Sequence, residues 1–259
     1  MDYLTWGAGP RSLLFLPGGP GSSVPTGIAA RMSRRWFAPF VEAGYTVWHV
    51  TRRRGMPAGH SIDDMADDYA RFILEKLGDR ADLVLGVSFG GMVAQHLGAH
   101  HGRVCGRLAV VAAAAQVSAW GREVDARLAA ALARGDERAV ASTFAEYALP
   151  GRRSSRLRQL VGPRIGRSLM SGEHYPPSDL LVEIEAELSF DSRAVLPEIE
   201  VPVVLVCGDR DRFFPLALAE ETARLIPDCA LVRYAGQGHL KVSANRRVPQ
   251  EVLASVGRG

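Results

Sequence analysis

Short apolar runs alternate with longer amphipathic stretches along most of the chain. Six of these runs are apolar at consecutive positions and rich in valine and leucine, which is typical of parallel strands buried on both faces. They lie at positions 13–16, 46–50, 82–87, 107–111, 201–207 and 230–234. A further strand, antiparallel to the rest, is expected near Tyr3–Trp6.

Helical spacing fills the intervals between these runs. In 62–77, apolar residues recur three or four positions apart, Ser61 is a candidate N-cap, and Asp63 and Asp64 stand in the favourable first turn. Helices are also predicted at 90–98 and 215–225. Alternating strands and helices predict an α/β fold with a doubly wound, mostly parallel sheet.

The alternation stops between about 118 and 190. This stretch holds helical patterns at 122–134, 137–147, 152–169 and 178–188, without a strand-like run between them. Such a block between two strands of a parallel sheet is typical of a cap over the sheet's carboxyl edge; the alternative is a second helical layer with no role at the site. We therefore expect a core domain of residues 1–117 and 190–259 and a helical cap insertion of residues 118–189.

Composition narrows the classes of protein that this chain can belong to. A length of 259 residues, 47% of them hydrophobic and 23% charged, is typical of a soluble globular protein. A net charge of +3 is too small to indicate nucleic-acid binding, and no apolar run approaches the roughly 18 residues of a membrane span. The three cysteines make no disulfide framework, and the N-terminus is not a signal peptide, which favours the cytoplasm.

The segment from Gly86 to Gly90 carries the strongest chemical signal. Its G-x-S-x-G pattern directly follows a predicted strand and opens a helix, so Ser88 is a candidate nucleophile on a sharp turn. The residues two before and two after such a serine must be small, because side chains there would collide.

The loop from Pro17 to Gly21 follows the first strong strand and is a candidate oxyanion loop. Acyl transfer creates an oxyanion that needs two N–H donors. One should be the backbone N–H of Phe89, directly after the nucleophile. The other should come from this loop, where the two prolines lack an N–H and only Gly18, Gly19 and Gly21 can donate.

Two later loops supply a candidate acid and base. His239 follows the last strand behind two glycines, and the unperturbed pKa of imidazole, about 6.5, suits a general base. Asp209 and Asp211 both follow the fifth run. Asp211 is preferred as the partner of His239, because it lies further into the loop; Asp209 is the alternative, otherwise a turn cap or an arginine partner.

These elements together resemble the α/β-hydrolase superfamily over nearly the whole chain. The order serine, aspartate, histidine is that of the superfamily. The resemblance implies a triad of Ser88, Asp211 and His239, with Gly19 and Phe89 as oxyanion donors. Family members usually carry a histidine where this chain has Pro17, so the loop must be held in another way. Phe89 also replaces the tryptophan typical of prolyl aminopeptidase-like members.

Other charged clusters give weaker signals. His96, His100 and His101 lack an obvious third metal ligand, so we expect a solvated helix end and no metal. The arginines at 52–54 and within 152–167 could favour an anionic substrate, but a solvated surface is the simpler interpretation.

The sequence thus predicts a serine hydrolase that cleaves an ester, thioester or lactone of a small molecule through an acyl-enzyme on Ser88, without a cofactor. No nucleic-acid or membrane partner is expected. Action on an amide or a carbon–carbon bond, or acyl transfer, is the alternative. A non-catalytic small-molecule binder is the weakest hypothesis, because a binder does not need a complete triad.

Overall fold

One mixed sheet organises the part of the chain that the computed structural model describes, residues 1–21, 23–148 and 176–257. Its strands are β1 (Tyr3–Trp6), β2 (Arg11–Leu16), β3 (Tyr45–Val50), β4 (Leu83–Val87), β5 (Leu108–Val111), β6 (Val203–Gly208) and β7 (Cys229–Tyr234). The spatial order is β1-β3-β2-β4-β5-β6-β7. Only β1 is antiparallel to its neighbour, with Tyr3 opposite Val50 and Trp6 opposite Val47, which confirms the predicted fold class.

Helices connect the strands and cover both faces of the sheet. They are α1 (Gly27–Glu42), α2 (Ile62–Lys76), α3 (Phe89–His100), α4 (Ala119–Ala133), α5 (Glu137–Ala148), α6 (Pro177–Leu188), α7 (Leu216–Leu225), α8 (His239–Ser243) and α9 (Val248–Val256). Short 3-10 turns occur at Gly102–Val104 and Leu196–Glu198. Within the described residues, no helix is long and apolar enough to cross a membrane.

The alternation of side chains along β2 divides the core into two layers. Leu14 and Leu16 join one apolar cluster with α2, α3 and α7, whereas Leu13 and Phe15 join another with α1 and α9. Successive side chains of a strand point to opposite faces, so both layers are built on the same strands. This arrangement places the carboxyl ends of β2, β4, β6 and β7 at one edge, where their loops can meet.

Helices α4, α5 and α6 form the helical insertion between β5 and β6. They share an apolar cluster separate from the two core layers, built from Leu128, Ala131, Leu132, Val140, Leu180 and Ile184. Three predicted helices of the insertion are therefore confirmed within one or a few residues. The helix predicted at 152–169 lies outside the described residues.

Helices α2 and α1 show why one helix was predicted from the sequence and another was not. Ser61 caps α2 as expected: its Oγ accepts from the Asp64 N–H at 3.1 Å, and the Asp64 carboxylate accepts from the Ser61 N–H at 2.8 Å. Helix α1 was not predicted. It starts at a glycine, contains Pro39 and buries only Phe37 and Phe40, so its apolar stripe is short.

Candidate active site

Ser88 occupies a strained turn between β4 and α3. Its φ of 54° and ψ of −120° lie outside the regions that non-glycine residues usually adopt. A Cβ at position 90 would lie 2.7 Å from the Pro17 carbonyl oxygen, and one at position 86 would lie 2.6 Å from the carbonyl carbon of Gly90. Only glycine fits at these two positions, which confirms the steric basis of the predicted elbow.

A chain of hydrogen bonds joins Ser88, His239 and Asp211. Ser88 Oγ lies 2.9 Å from His239 Nε2, and His239 Nδ1 lies 2.8 Å from Asp211 Oδ2. An ionised carboxylate can only accept, so Nδ1 carries the ring proton and Nε2 accepts from the serine hydroxyl. The three side chains that the sequence singled out are thus in contact, although Ser88 and His239 are 151 positions apart.

Local backbone geometry holds the Asp211 carboxylate in place. Asp211 is buried, and its second oxygen accepts from the N–H groups of Phe213 and Phe214 at 2.8 and 3.1 Å. The rings of Phe213 and Phe214 also pack against the imidazole, with centroids 5.5 and 5.8 Å from that of His239. The apolar turn after Asp211 therefore orients both the acid and the base.

Asp209, the alternative acid, faces away from His239. Its carboxylate accepts from Arg233 Nη2 at 3.0 Å and from the Gly236 N–H at 2.7 Å. These contacts make Asp209 an arginine partner and a cap for the turn before His239. The geometry therefore favours Asp211 as the histidine's partner.

The glycines of the loop after β2 differ in the availability of their N–H groups. The Gly21 N–H lies 3.3 Å from each carboxylate oxygen of Glu183, so Gly18 and Gly19 are the remaining candidate donors of the loop. Gly18 lies against the side of Ser88, and Gly19 lies beside the Phe89 side chain. Phe89 is the first residue of α3, so its N–H has no acceptor within the helix.

Arg52 is the main site residue that sequence reasoning missed. The expectation of a solvated arginine was wrong, because only 1% of Arg52 is exposed. Its Nε donates to Glu183 Oε1 at 2.7 Å, its Nη1 to the Pro17 carbonyl at 2.8 Å and its Nη2 to the Gly18 carbonyl at 3.0 Å. The sequence predicted that the loop must be held in another way than by a histidine at position 17, but nothing local in the sequence identified Arg52.

The guanidinium of Arg52 also contacts the start of α3 and the backbone of the loop. Its Cζ lies 4.2 Å from the centroid of the Phe89 ring, a cation–π distance. The Arg52 N–H donates to the Gly21 carbonyl at 2.8 Å. A Cβ at position 21 would collide with the guanidinium, so the glycine there makes room for Arg52.

A cavity of about 250 Å³ lies beside Ser88 and His239. The inserted helices supply part of its wall, with side chains from Leu128, Phe144, Leu180, Glu183, Ile184 and Glu187. Among these, burial raises the pKa of the Glu187 carboxyl well above its usual value, and the nearby Asp125 and Glu183 raise it further while Arg52 opposes them. Glu187 therefore places a carboxyl that holds its proton more tightly than usual in the wall of a largely apolar cavity.

A second cluster of polar side chains connects α2 and α3. The Nδ1 atoms of His96 and His100 lie 3.3 and 2.6 Å from Asp63 Oδ1. The helix-end histidines thus have a third potential metal ligand after all, supplied by a different helix. His101 makes a separate contact of 2.6 Å with Asp67.

The chain belongs to the alpha/beta hydrolase fold family, whose family model matches residues 11–242. It is 28% identical over 202 residues to a pimeloyl-acyl-carrier-protein methyl ester esterase of Vibrio atlanticus, which covers 72% of this chain and 74% of the relative. The relative of the same name from Aromatoleum aromaticum is 27% identical over 232 residues, or 85% of this chain and 91% of that protein.

Solved structures share the fold at lower identity. The enol-lactonase from Burkholderia xenovorans superposes with a TM-score of 0.74 at 21% identity, over 99% of this chain and 96% of that one. Together with the family and the curated relatives, the fold identifies the chain as an esterase-like hydrolase.

Replacing Glu187 with glutamine should change how stability depends on pH. Because the folded-state pKa of Glu187 is raised, the folded protein keeps a proton that the unfolded chain releases near 4.5, and stability falls as pH rises above that value. Glu187→Gln removes this loss, so its Tm should exceed that of the wild type at pH 8 but not at pH 4. A gain of about 1 kcal/mol corresponds to about 2–4 °C.

Thermal unfolding at the two pH values measures this effect. Glu185→Gln, an exposed carboxyl on the same helix, is the matched control and should show no such difference. If the Tm difference between Glu187→Gln and wild type were the same at pH 4 and pH 8, as it should be for Glu185→Gln, the raised pKa of Glu187 would be contradicted.

Proposed function

We propose that the chain is a serine hydrolase that cleaves a carboxyl ester, thioester or lactone of a small molecule through an acyl-enzyme on Ser88. One observation supports this most strongly: the hydrogen-bond chain from Ser88 through His239 to the buried Asp211. Its first two members, Ser88 and His239, line a cavity of about 250 Å³, which is large enough for a small acyl group. A molecule that only binds its ligand has no need for this arrangement.

Each residue of the triad has a defined role in the proposed reaction. His239 Nε2 removes the Ser88 proton as Oγ attacks the carbonyl carbon, and the same proton then passes to the leaving alcohol. Asp211 stays ionised and stabilises the imidazolium that forms. Water, activated by His239, then attacks the acyl-enzyme and releases the acid, which restores Ser88.

The oxyanion of both tetrahedral intermediates needs two N–H donors. We assign these to Gly19 and Phe89. The assignment of Phe89 is supported by its position at the start of α3, where its N–H has no acceptor within the helix. The assignment of Gly19 is supported by the contact between the Gly21 N–H and Glu183, which removes Gly21 from the candidate donors. Gly18 is the remaining alternative to Gly19.

The substrate is proposed to be a small ester with a mainly apolar acyl group. The apolar wall that α4–α6 place beside Ser88 supports this choice, as do relatives named as methyl ester esterases. We also infer that residues 118–189 act as the cap, which their separate apolar cluster supports. A cytoplasmic location agrees with three free cysteines, two of them buried.

Ser88→Ala should abolish both turnover and covalent labelling. An activated serine attacks a fluorophosphonate, so wild type should gain the mass of one adduct by intact-mass spectrometry, whereas the variant should gain none. Hydrolysis of short p-nitrophenyl esters by the variant should fall to the uncatalysed level. Full turnover by Ser88→Ala would eliminate the acyl-enzyme mechanism.

The two aspartates of the loop after β6 form a matched pair for a second experiment. Asp211→Asn leaves the shape intact but lets His239 adopt the wrong tautomer, so kcat should fall by a factor on the order of 10³–10⁴. Asp209→Asn should cost less than tenfold, because that carboxylate hydrogen-bonds to Arg233 and the Gly236 N–H and not to His239 among the described residues. Steady-state hydrolysis of one ester measures both, and equal losses would show that the acid is misassigned.

A further inference from the structure

The oxyanion loop of this chain is held by a buried cation in place of the histidine that its family usually carries at position 17. Arg52 donates to the carbonyls of Pro17 and Gly18, and its charge is balanced by Glu183 at 2.7 Å. Both partners are almost fully buried, with 1% and 3% of their side chains exposed. A buried pair of this kind depends on both members, because either charge alone would be left in an apolar surrounding.

Peptide planarity links these carbonyl contacts to the oxyanion hole. The Gly18 carbonyl and the Gly19 N–H belong to one peptide unit, whose six atoms lie close to a plane. When Arg52 Nη2 fixes the Gly18 carbonyl at 3.0 Å, it also fixes the direction in which the Gly19 N–H points. The guanidinium packs on the Phe89 ring as well, so one side chain contacts Phe89 and the peptide unit that carries the Gly19 N–H.

Glu183 extends this arrangement to the inserted helices. It lies on α6, yet its carboxylate accepts from Arg52 Nε and from the Gly21 N–H in the core. The contact spans 131 positions of sequence and joins α6 to the loop that carries the donors. If α6 moves away from the core, both Arg52 and Gly21 lose their acceptor.

We propose that Arg52 and Glu183 are positioning residues that orient the oxyanion donors and make the oxyanion hole depend on the docking of α6. This inference rests on the proposed function, since it assumes an oxyanion at Ser88. It assigns Arg52 the part that the family's histidine usually plays, and it gives the inserted helices a role in catalysis beyond shaping the cavity.

The test compares Arg52→Met and Glu183→Gln with wild type. Both variants should lower kcat for a p-nitrophenyl ester on the order of 10–100-fold with little change in KM, because the donors act mainly in the transition state. A boronic acid, which forms a tetrahedral adduct with an activated serine, should lose affinity by a similar factor. The pH at which kcat is half-maximal should not move, because His239 and Asp211 are untouched.

Controls separate positioning from simple loss of structure. All rates are divided by the concentration of active sites, taken from the endpoint of fluorophosphonate labelling. Arg52→Met leaves the buried Glu183 carboxylate without its counter-charge, which can destabilise the fold. Glu183→Gln keeps the shape of the side chain and therefore provides a second, independent measurement. Arg53→Met and Glu185→Gln are exposed neighbours and should stay within twofold of wild type.

The experiment distinguishes failure of the positioning role from failure of the proposed function. If both variants keep kcat and boronic acid affinity within twofold of wild type, the positioning role is overturned. If wild type itself shows neither labelling nor turnover, the proposed function fails first.

An independent observation concerns the cluster of Asp63, His96 and His100. His96 and His100 are four positions apart on α3, so their imidazoles lie on the same face of the helix. One ligand atom from each of the three residues lies within 4.8 Å of the other two. Three donors around one tetrahedral zinc are separated by roughly 3.4 Å, so small side-chain movements would suffice.

The geometry points to a binding site for a divalent transition metal such as Zn²⁺, with water completing the coordination. Two imidazoles and one carboxylate are a suitable set for this class of ion. The bound ion would join α2 to α3, the helix that begins directly after Ser88.

Isothermal titration with ZnCl₂ tests this site. Wild type should bind one equivalent, and Asp63→Asn and His100→Ala should each weaken binding at least tenfold. His101→Ala is the matched control, because His101 pairs with Asp67 at the same distance but has no second imidazole facing it among the described residues; its affinity should match wild type. Unchanged affinity in His100→Ala, or no binding by wild type, would overturn the proposal.

Discussion

The close contact between the end of β2 and the start of α3 is the constraint on which the site depends. Gly90 lies so near the carbonyls of Leu16 and Pro17 that no side chain fits there. This contact places the turn of Ser88 directly beside the loop from Pro17 to Gly21, which carries one of the two proposed oxyanion donors. The strained backbone of Ser88, which costs on the order of 1–3 kcal/mol, persists because the first seven residues of α3 are all buried, with Met92 fully inaccessible.

A buried ion pair between Arg52 and Glu183 also holds the loop after β2 in place. A guanidinium buried as deeply as that of Arg52 needs a counter-charge and acceptors for its remaining N–H groups, and Glu183 and two loop carbonyls provide them. The same contacts give the Pro17 and Gly18 carbonyls a side-chain donor. The loop around Pro17 is thus held by residues 35 and 166 positions away in the sequence.

Sequence reasoning worked where the signal was local. The strands were recognisable because burial on both faces produces continuous apolar runs, and the elbow because its glycines are required sterically. The choice of Asp211 over Asp209 was argued from its depth in the loop; the structure adds the N–H groups of Phe213 and Phe214, which only the folded turn aligns.

Prediction failed where function depends on contacts between distant segments. Arg52 looked like one of three adjacent loop arginines, and its partner on α6 gave no local sign of pairing. The third potential ligand beside His96 and His100 likewise comes from another helix, 33 positions away. Helices α1 and α9 were missed because their buried stripes are short, with only two core side chains in α1.

The separate apolar cluster of α4–α6 has a consequence for engineering. A block of helices that packs largely on itself invites exchange with the corresponding block of a related enzyme to alter substrate preference. In this chain, such a chimera would remove Glu183 and leave the buried Arg52 cation without its counter-charge beside the loop after β2. A donor block must therefore carry an acidic residue at the position of Glu183, or Arg52 has to be replaced in the core that receives the block.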